Sequence, residues 1–373
     1  MQKIATIKFY NYISGLNGIS KNYVDLLLMT KNDFTDLKQF LAIPRNIAVI
    51  PHKNADGDAI GSVLACYHYL KNQGHYVRVV SPNDYPEFLK WLPGSQDVLR
   101  FDLQNKQSKR VLNSAELIFL MDFNEMGRVG DDMQHTMETL DTTYVMIDHH
   151  QQPSAVAKYL YSDTSICATA QMFYHFLEQI GDVNAISKEI ATCMYTGILT
   201  DTGSFRFPNT SPTTHRIVAE LIEKGADNAR IYDSVFDQNT YGRLQLLGQA
   251  LQNLVVIEEF HTAYITISKA EKLKFYFQKG DTEGIVNYAL SIKGIIFGVI
   301  FIEDEEQEMI KISFRSKGSF SVNQFSRNHF EGGGHDNAAG GRSRENMDQT
   351  LKRFKSILPE YKEKLNESYV TIS

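Results

Sequence analysis

Cysteine and tryptophan are scarce, with three and one copies in 373 residues. Cys66, Cys167 and Cys193 lie far apart without CxxC spacing, each in an apolar stretch, so buried thiols are expected rather than disulfides or zinc ligands. A reducing compartment follows. A surplus of positive charge is also missing: 38 Lys and Arg against 44 Asp and Glu give −6. No global basic field therefore draws the chain to nucleic acid or to an anionic membrane, and any phosphate must be met by local cations. No run approaches the ~18 apolar residues of a spanning helix, and the N-terminus lacks an apolar h-region. No membrane partner and a cytoplasmic location are expected. Low-complexity tracts and internal repeats are absent too.

What remains is a globular composition, 43% hydrophobic and 22% charged, long enough for two cores. "NIAVI" (46–50), "VRVV" (77–80), "LIFLMD" (117–122) and "YVMID" (144–148) are short β-branched or apolar runs separated by segments of helical period. Between the first two, Ile60, Val63, Leu64, Tyr67 and Leu70 recur at threes and fours and describe a helix with one buried face. Alternation of this kind predicts α/β with a mainly parallel sheet flanked by helices.

Open parallel sheets bind ligands at the carboxyl ends of their strands. His52, Asp56 and Asp58 follow the first run in "IPHKNADGDAIGS", where the glycines are expected to keep the turn tight. Asp122 ends the "LIFLMD" run, and "IDHH" (147–150) ends another. Asp201 follows the apolar segment of "MYTGILTDTGSFRF" (194–207), where in isolation it would pass for a turn or N-cap residue. Carboxylate oxygen with imidazole nitrogen and no thiolate suits Mn²⁺, Fe²⁺, Co²⁺ or Zn²⁺ in a partly open catalytic site. His52, Asp56, Asp58, Asp122, His149 and Asp201 make six ligands, more than one ion normally takes from protein. Two ions sharing one carboxylate would use them all, and such a pair most naturally serves phosphoester hydrolysis.

The stretches "HKNADGDAIGS", "MDFN", "IDHH" and "LTDTGSFRF", in that order, resemble the four motifs of the DHH phosphoesterase superfamily. "FRSKGSFSVNQFSRNHFEGGGHDNAAGG" (314–341) resembles the accompanying DHHA1 domain, so the likeness covers most of the chain. Ala55 stands where the family's first motif usually has proline, a change that removes no ligand. Within the branch, the layout resembles the oligoribonuclease and 3′-phosphoadenosine 5′-phosphate (pAp) phosphatase enzymes, the nanoRNases. The resemblance implies an N-terminal DHH domain over residues 1–235, a short helical linker over 236–250, and a smaller α/β DHHA1 domain over 251–373 across a cleft. It implies two divalent metal ions, Mn²⁺ before Co²⁺, Fe²⁺ or Mg²⁺, one held by His52, Asp56 and Asp122 and the other by Asp58, Asp122, His149 and Asp201. Asp122 would bridge, His150 would face the scissile phosphate or orient a water, and Asp148 would fix an imidazole's tautomer.

In the second half, "NLVVIEEFHTAYITIS" (253–268) predicts two strands with a turn, and "DTEGIVNYALSIKGIIFGVIFIED" (281–304) predicts a helix opened by a capping-like Asp281 and then a strand. The glycines of "GGGH", including Gly333 and Gly334, are expected to form a turn whose N–H groups make an anion-binding concavity, with His335 adding a donor. Arg315 supplies a fork for phosphate, and Lys317 a second charge.

A lone surface Asp or His is usually structural, and that reading is given to His68, His75, His135, His175, His215 and His261. His329, close to the glycine turn, stays open. Arg206, Lys317 and Arg342 are equally well explained as solvated charges. Most of the 22 Phe and 19 Tyr belong to the cores, with "FRF" (205–207) the exception, as it follows a predicted ligand and could line the site. The expected function is hydrolysis of short oligoribonucleotides, about two to five nucleotides long, to nucleoside monophosphates, with pAp as a second substrate. The alternatives are a phosphodiesterase for cyclic or linear dinucleotides (c-di-AMP, pApA, pGpG) and a family II inorganic pyrophosphatase, which carries a different second-domain signature. From another class comes a non-catalytic sensor of nucleotides or RNA ends. Partners are thus short RNA or small nucleotides. Relatives dimerise, yet no stretch specifies a homodimer interface.

Overall fold

The computed structural model describes residues 28–278, 280–304 and 308–372. The chain divides into two compact units, Met1–Gln238 and Asn239–Ser373. In chain order the first unit holds α1 (Lys31–Phe40), β1 (Asn46–Pro51), α2 (Gly57–Asn72), β2 (Tyr76–Ser81), β3 (Leu99–Arg100), α3 (Asn105–Ser114), β4 (Leu117–Met121), α4 (Asp131–Met137), β5 (Thr143–Asp148), β6 (Tyr159–Ser162), α5 (Thr169–Gln179), α6 (Lys188–Asp201), α7 (Pro212–Glu223) and α8 (Asn228–Phe236).

Its six strands run in the order β3-β2-β1-β4-β5-β6, every pairing parallel. β1 and β4 are buried almost throughout because helices cover both faces. Alternation along β1 sends Ile47 and Val49 into a core with α2, α5 and α6, and Ala48 and Ile50 into a core with α3 and α4. The strand order reverses between β1 and β4. At such a switch point the loops leaving adjacent strands diverge to opposite faces and open a crevice. The motif-bearing segments after β1 and β4 begin there.

Two expectations change. Asp201 is the last residue of a fourteen-residue helix, α6, rather than a turn or N-cap residue. Gly57 and Gly61 lie inside α2, not in a turn. A Cβ at Gly61 would stand 2.6 Å from the Cys193 carbonyl oxygen and 2.9 Å from the Gly197 nitrogen, and one at Gly57 would stand 2.4 Å from Thr200 Oγ1. The glycines therefore let α2 and α6 cross almost backbone to backbone.

The second unit contains α9 (Tyr241–Gln252), β7 (Val255–Ile257), β8 (Thr262–Ile267), α10 (Lys269–Lys274), α11 (Val286–Ser291), β9 (Phe297–Asp304), β10 (Met309–Ser316), α12 (Val322–His329), β11 (Gly333–His335), β12 (Ala338–Ser343), α13 (Met347–Ile357) and α14 (Lys362–Ile372). Its sheet runs β11-β12-β10-β9-β8-β7, antiparallel except between β8 and β9. One face packs Phe297, Phe301, Phe314 and Phe325 with α13. The other is covered by α9 and α11 over β8 and β9. The segment 236–250 expected as a linker carries the start of α9, whose Leu246 and Ala250 enter this core. Asp281 does not cap α11: it accepts a hydrogen bond from the Gln278 amide, and the helix begins five residues later, at Val286 behind Ile285, with no side-chain cap.

Candidate metal centre

β1 ends at Pro51, and the next seven residues supply His52, Asp56 and Asp58. Asp56 is the N-cap of α2, its Oδ1 accepting from the Asp58 and Ala59 amides at 3.1 Å each. Asp58 lies in the first turn and is 1% exposed. Asp122 follows β4 with φ +67°, a left-handed conformation that costs a residue with a Cβ about 1–2 kcal/mol. Its amide donates to the Ile147 carbonyl on β5, which turns the side chain off the strand end.

The six expected ligands converge. His52 Nε2 lies 3.6 Å from Asp122 Oδ2 and 4.0 Å from Asp56 Oδ1. His149 Nε2 lies 3.5 Å from Asp122 Oδ1, 3.7 Å from Asp201 Oδ2 and 3.9 Å from Asp58 Oδ2. Donor atoms of His52, Asp56 and Asp122 fall within 4.8 Å of one another, as do those of Asp58, His149 and Asp201. The two oxygens of Asp122 thus face different imidazoles and belong to neighbouring clusters.

Both imidazoles are oriented by backbone. His52 Nδ1 meets the Lys53 carbonyl at 2.9 Å and His149 Nδ1 the Ile166 carbonyl at 3.1 Å. A carbonyl only accepts, so Nδ1 carries a proton, and Nε2, turned toward the carboxylates, is the atom that would ligate a cation on losing its own proton. Asp148, fully buried, accepts from His150 at both Nδ1 (2.7 Å) and the backbone amide (3.1 Å). It is therefore the His150 ring whose tautomer Asp148 fixes, leaving Nε2 as that ring's second working atom.

Without cations the cluster is under electrostatic tension. Burial opposes charge on Asp122, but the nearby imidazoles of His52, His150 and His149 hold its carboxyl far below the usual range. Burial, then Asp122 and Asp201, push Asp58 well up. Burial also lifts Asp201 to about 7 against the opposing charge of His149, with Asp56 and Asp122 adding to the rise. For His149, burial disfavours charge, yet Asp122, Asp201 and Asp58 raise it to about 9. His52 reaches about 8 against burial through the neighbouring Asp122 and the charge of Asp56. Four carboxylates among neutral imidazoles would be balanced by two divalent cations, and the donor set fits them.

Sequence reasoning missed two supports. Thr169, the first residue of α5, donates its amide to Asp58 Oδ2 at 2.6 Å and its hydroxyl to Asp122 Oδ1 at 2.9 Å, while the Ala170 amide reaches Asp58 Oδ1 at 2.9 Å. The signal was a helix whose N-cap is Ala168, with no capping side chain of its own; its first amides needed an acceptor from elsewhere. The second is Asn83. Its Oδ1 accepts from the Asn54 amide at 2.8 Å and its Nδ2 donates to Asn54 Oδ1 at 2.9 Å, clamping the loop between His52 and Asp56 with Asn54 at φ +58°.

In the second unit the glycine run is not a turn. Gly333–His335 is β11, an edge strand paired with β12, and the Gly334 amide already donates to Asn323 Oδ1 at 3.0 Å. The pairings Arg315 with Ala338 and Ala338 with His335 put these residues in one row on one face. The next row holds Ser313, Gly340 and Gly333, and the next Lys311 and Arg342. This half of the face is not buried: Lys311, Gly340, Arg342 and His335 are exposed and Arg315 is partly so. The glycines make a low floor between cations, rather than a nest. Arg315 Nη1 donates to the Phe314 carbonyl at 3.0 Å, and no carboxylate among the described residues lies within 4.0 Å of its guanidinium. Burial lowers the pKa of Arg315 and of Lys317.

Comparison with known proteins fits this layout. Residues 46–198 match the DHH family, N-terminal domain, and residues 260–360 match the DHHA1 domain. The bifunctional oligoribonuclease and PAP phosphatase NrnA of Thermus thermophilus is 31% identical over 314 residues, 84% of this chain and 89% of that protein. The chain belongs to the DHH family. Its counterpart of the same name in Bacillus subtilis is 26% identical over 88% of this chain and 99% of that protein. The crystal structure of an exopolyphosphatase-related protein from Bacteroides fragilis has a TM-score of 0.87 at 36% identity, covering 93% of this chain and all of that one. In this DHH protein the name-giving triplet is Asp148, His149 and His150: both imidazoles share a donor cluster with Asp122, and Asp148 braces His150.

Proposed function

We propose that the chain is a two-metal phosphoesterase that releases nucleoside monophosphates from RNA a few nucleotides long and removes a phosphate from pAp. The observation that carries this reading is the Asp122 carboxylate, whose two oxygens face His52 at 3.6 Å and His149 at 3.5 Å across adjoining donor clusters. Bound there, two divalent cations, of which we favour Mn²⁺, would polarise the phosphoryl group, activate water and offset charge on the leaving oxygen. His52, Asp56 and Asp122 would hold one, and Asp58, Asp122, His149 and Asp201 the other.

The chain's own residues do the rest. The Thr169 and Ala170 amides hold the buried Asp58 carboxyl in place. Asp148 holds the His150 proton on Nδ1, so that Nε2 is the atom presented to the scissile phosphate. In the second unit Arg315 offers a planar fork for a phosphate oxygen pair, beside Lys317 and His335, and Gly333 and Gly334 let a nucleotide approach the sheet. The relatives' names, oligoribonuclease and PAP phosphatase, agree with these substrates. The three cysteines are buried and unpaired, consistent with the cytoplasm. Among the described residues no helix is long and apolar enough to cross a membrane.

The test is turnover by metal-stripped protein reloaded with Mn²⁺, comparing di- to pentaribonucleotides, a long RNA, pAp and c-di-AMP by kcat/KM. Preference for the shortest RNAs with slower pAp release supports the proposal. Preference for c-di-AMP transfers the chain to cyclic-dinucleotide signalling, and no Mn²⁺-dependent turnover of any substrate leaves a nucleotide-binding protein.

A further inference from the structure

Six residues beyond Asp201 the chain exposes an aromatic ring on an unusually constrained loop. Gly203, Ser204 and Phe205 all have positive φ, +55°, +63° and +64°. Two of the three carry a Cβ, and such conformations persist only where surrounding bonds over-determine them. Thr202 provides those bonds. Its buried hydroxyl donates to the Ile198 carbonyl at 2.6 Å and accepts from the Phe205 amide at 3.0 Å. Its carbonyl accepts from the Arg206 and Phe207 amides at 3.1 Å each, and the Ser204 amide closes onto the Leu199 carbonyl at 2.8 Å.

The loop delivers Phe207, whose ring lies on Gly203. A Cβ at Gly203 would stand 2.4 Å from Cζ and 2.7 Å from both Cε atoms, and near-equal distances to the three carbons mean that glycine meets the face of the ring, not its edge. Phe207 is nevertheless 38% exposed, whereas Phe205 packs between Tyr195 and His215. The Arg206 guanidinium stands 5.8 Å from the Phe207 ring centroid. Gly203 is two residues from Asp201, hence within about 7.6 Å of it between Cα atoms. A rigid, half-bare aromatic face beside a cation, lying on a glycine two residues from Asp201, has the features of a base-stacking platform.

Resting on the phosphoesterase reading above, we propose that Phe207 stacks on the nucleobase next to the scissile phosphate, with Arg206 flanking it, so that the first unit recognises a base as well as a phosphate. Stacking needs only a π-face, so the subsite tolerates any base and selects nucleotides over base-free phosphoesters.

The experiment uses the full chain loaded with Mn²⁺ and three substrates: an RNA dinucleotide and its two singly abasic analogues. Phe207→Ala should raise KM for the intact dinucleotide about 10- to 100-fold, the range of one lost base stack, with little change in kcat. One abasic analogue should already show that loss with wild-type protein and suffer no further loss with Phe207→Ala. Phe207→Trp should restore turnover of the intact substrate, and Phe207→Leu, apolar without a π-face, should not. Equal losses on all three substrates, or none on any, would overturn the proposal. Wild-type protein that hydrolyses none of them refutes the phosphoesterase reading instead.

Discussion

Gly61→Ala sets two physical effects against each other in α2. On helix propensity alone, alanine in mid-helix should stabilise by about 1 kcal/mol. The structure predicts the reverse. The added methyl would stand 2.6 Å from the Cys193 carbonyl oxygen and 3.0 Å from Gly197 Cα, where ordinary contact starts at 3.4 Å. Both obstacles are backbone of α6, so no side chain can rotate away, and the helices must part by about 0.8 Å, the difference between 3.4 and 2.6. Overpacking of this kind costs about 1–3 kcal/mol. Taking the upper half of that range, because backbone is met, leaves a net loss of about 1–2 kcal/mol, or about 2–8 °C in melting midpoint for a unit of this size. The displacement also separates ligands. Asp58 stands one turn before Gly61 on α2 and Asp201 one turn after Gly197 on α6, and metal distances tolerate only about 0.2 Å. Mn²⁺ affinity should fall at least tenfold, read by calorimetric titration of metal-stripped protein beside thermal melts. A variant melting at or above wild type with unchanged Mn²⁺ binding would refute the close-crossing argument.

Asp122→Ala removes the carboxylate whose oxygens face both clusters, so turnover should vanish and Mn²⁺ stoichiometry should fall below two. Retention of two tight ions would contradict sharing. His335→Ala, on the open sheet face of the second unit, should raise KM more than it lowers kcat, and equal losses in both would contradict a binding role. His75 is buried, accepts the Arg45 amide on Nδ1 at 3.1 Å, and its Nε2 has no partner. Burial, then Arg45, lowers its pKa in the fold. Stability should be full above the unfolded value of about 6.5 and drop as pH falls through it, since the unfolded chain takes up the proton more readily. His75→Asn keeps an acceptor near Nδ1 without the titration. Its melting midpoint should fall less between pH 8 and pH 5 than wild type, and parallel profiles would remove His75 as the cause.

The sheet of the first unit was legible because its strands are buried on both faces and read as unbroken apolar runs, and because a parallel strand ending in Asp or His is hard to explain by packing. The order of motifs along the sequence then brings His52, Asp122 and His149 to one edge. The misread features share a cause: short polar and glycine-rich segments carry no period. "DGDAIG" looks like a turn whether its glycines bend the backbone or admit a neighbouring helix, and only the Cys193 carbonyl beside Gly61 decides. "GGGH" looks like an anion nest, yet its partner "AAGG" makes it a strand, because two stretches with almost no side chains can pair and leave a flat floor. Asp58 is the subtler case. A buried carboxylate held by amides 111 and 112 residues away leaves only an indirect trace, a helix starting at Thr169 without a cap of its own. Uncapped helix starts are therefore a place to look for the amide donors that hold a distant buried acid. Thr169→Val tests that directly: it keeps the amide bond to Asp58 but deletes the hydroxyl bond to Asp122, so Mn²⁺ affinity should fall while Thr169→Ser restores it. Wild-type affinity in Thr169→Val would mean that the hydroxyl bond contributes nothing to the site.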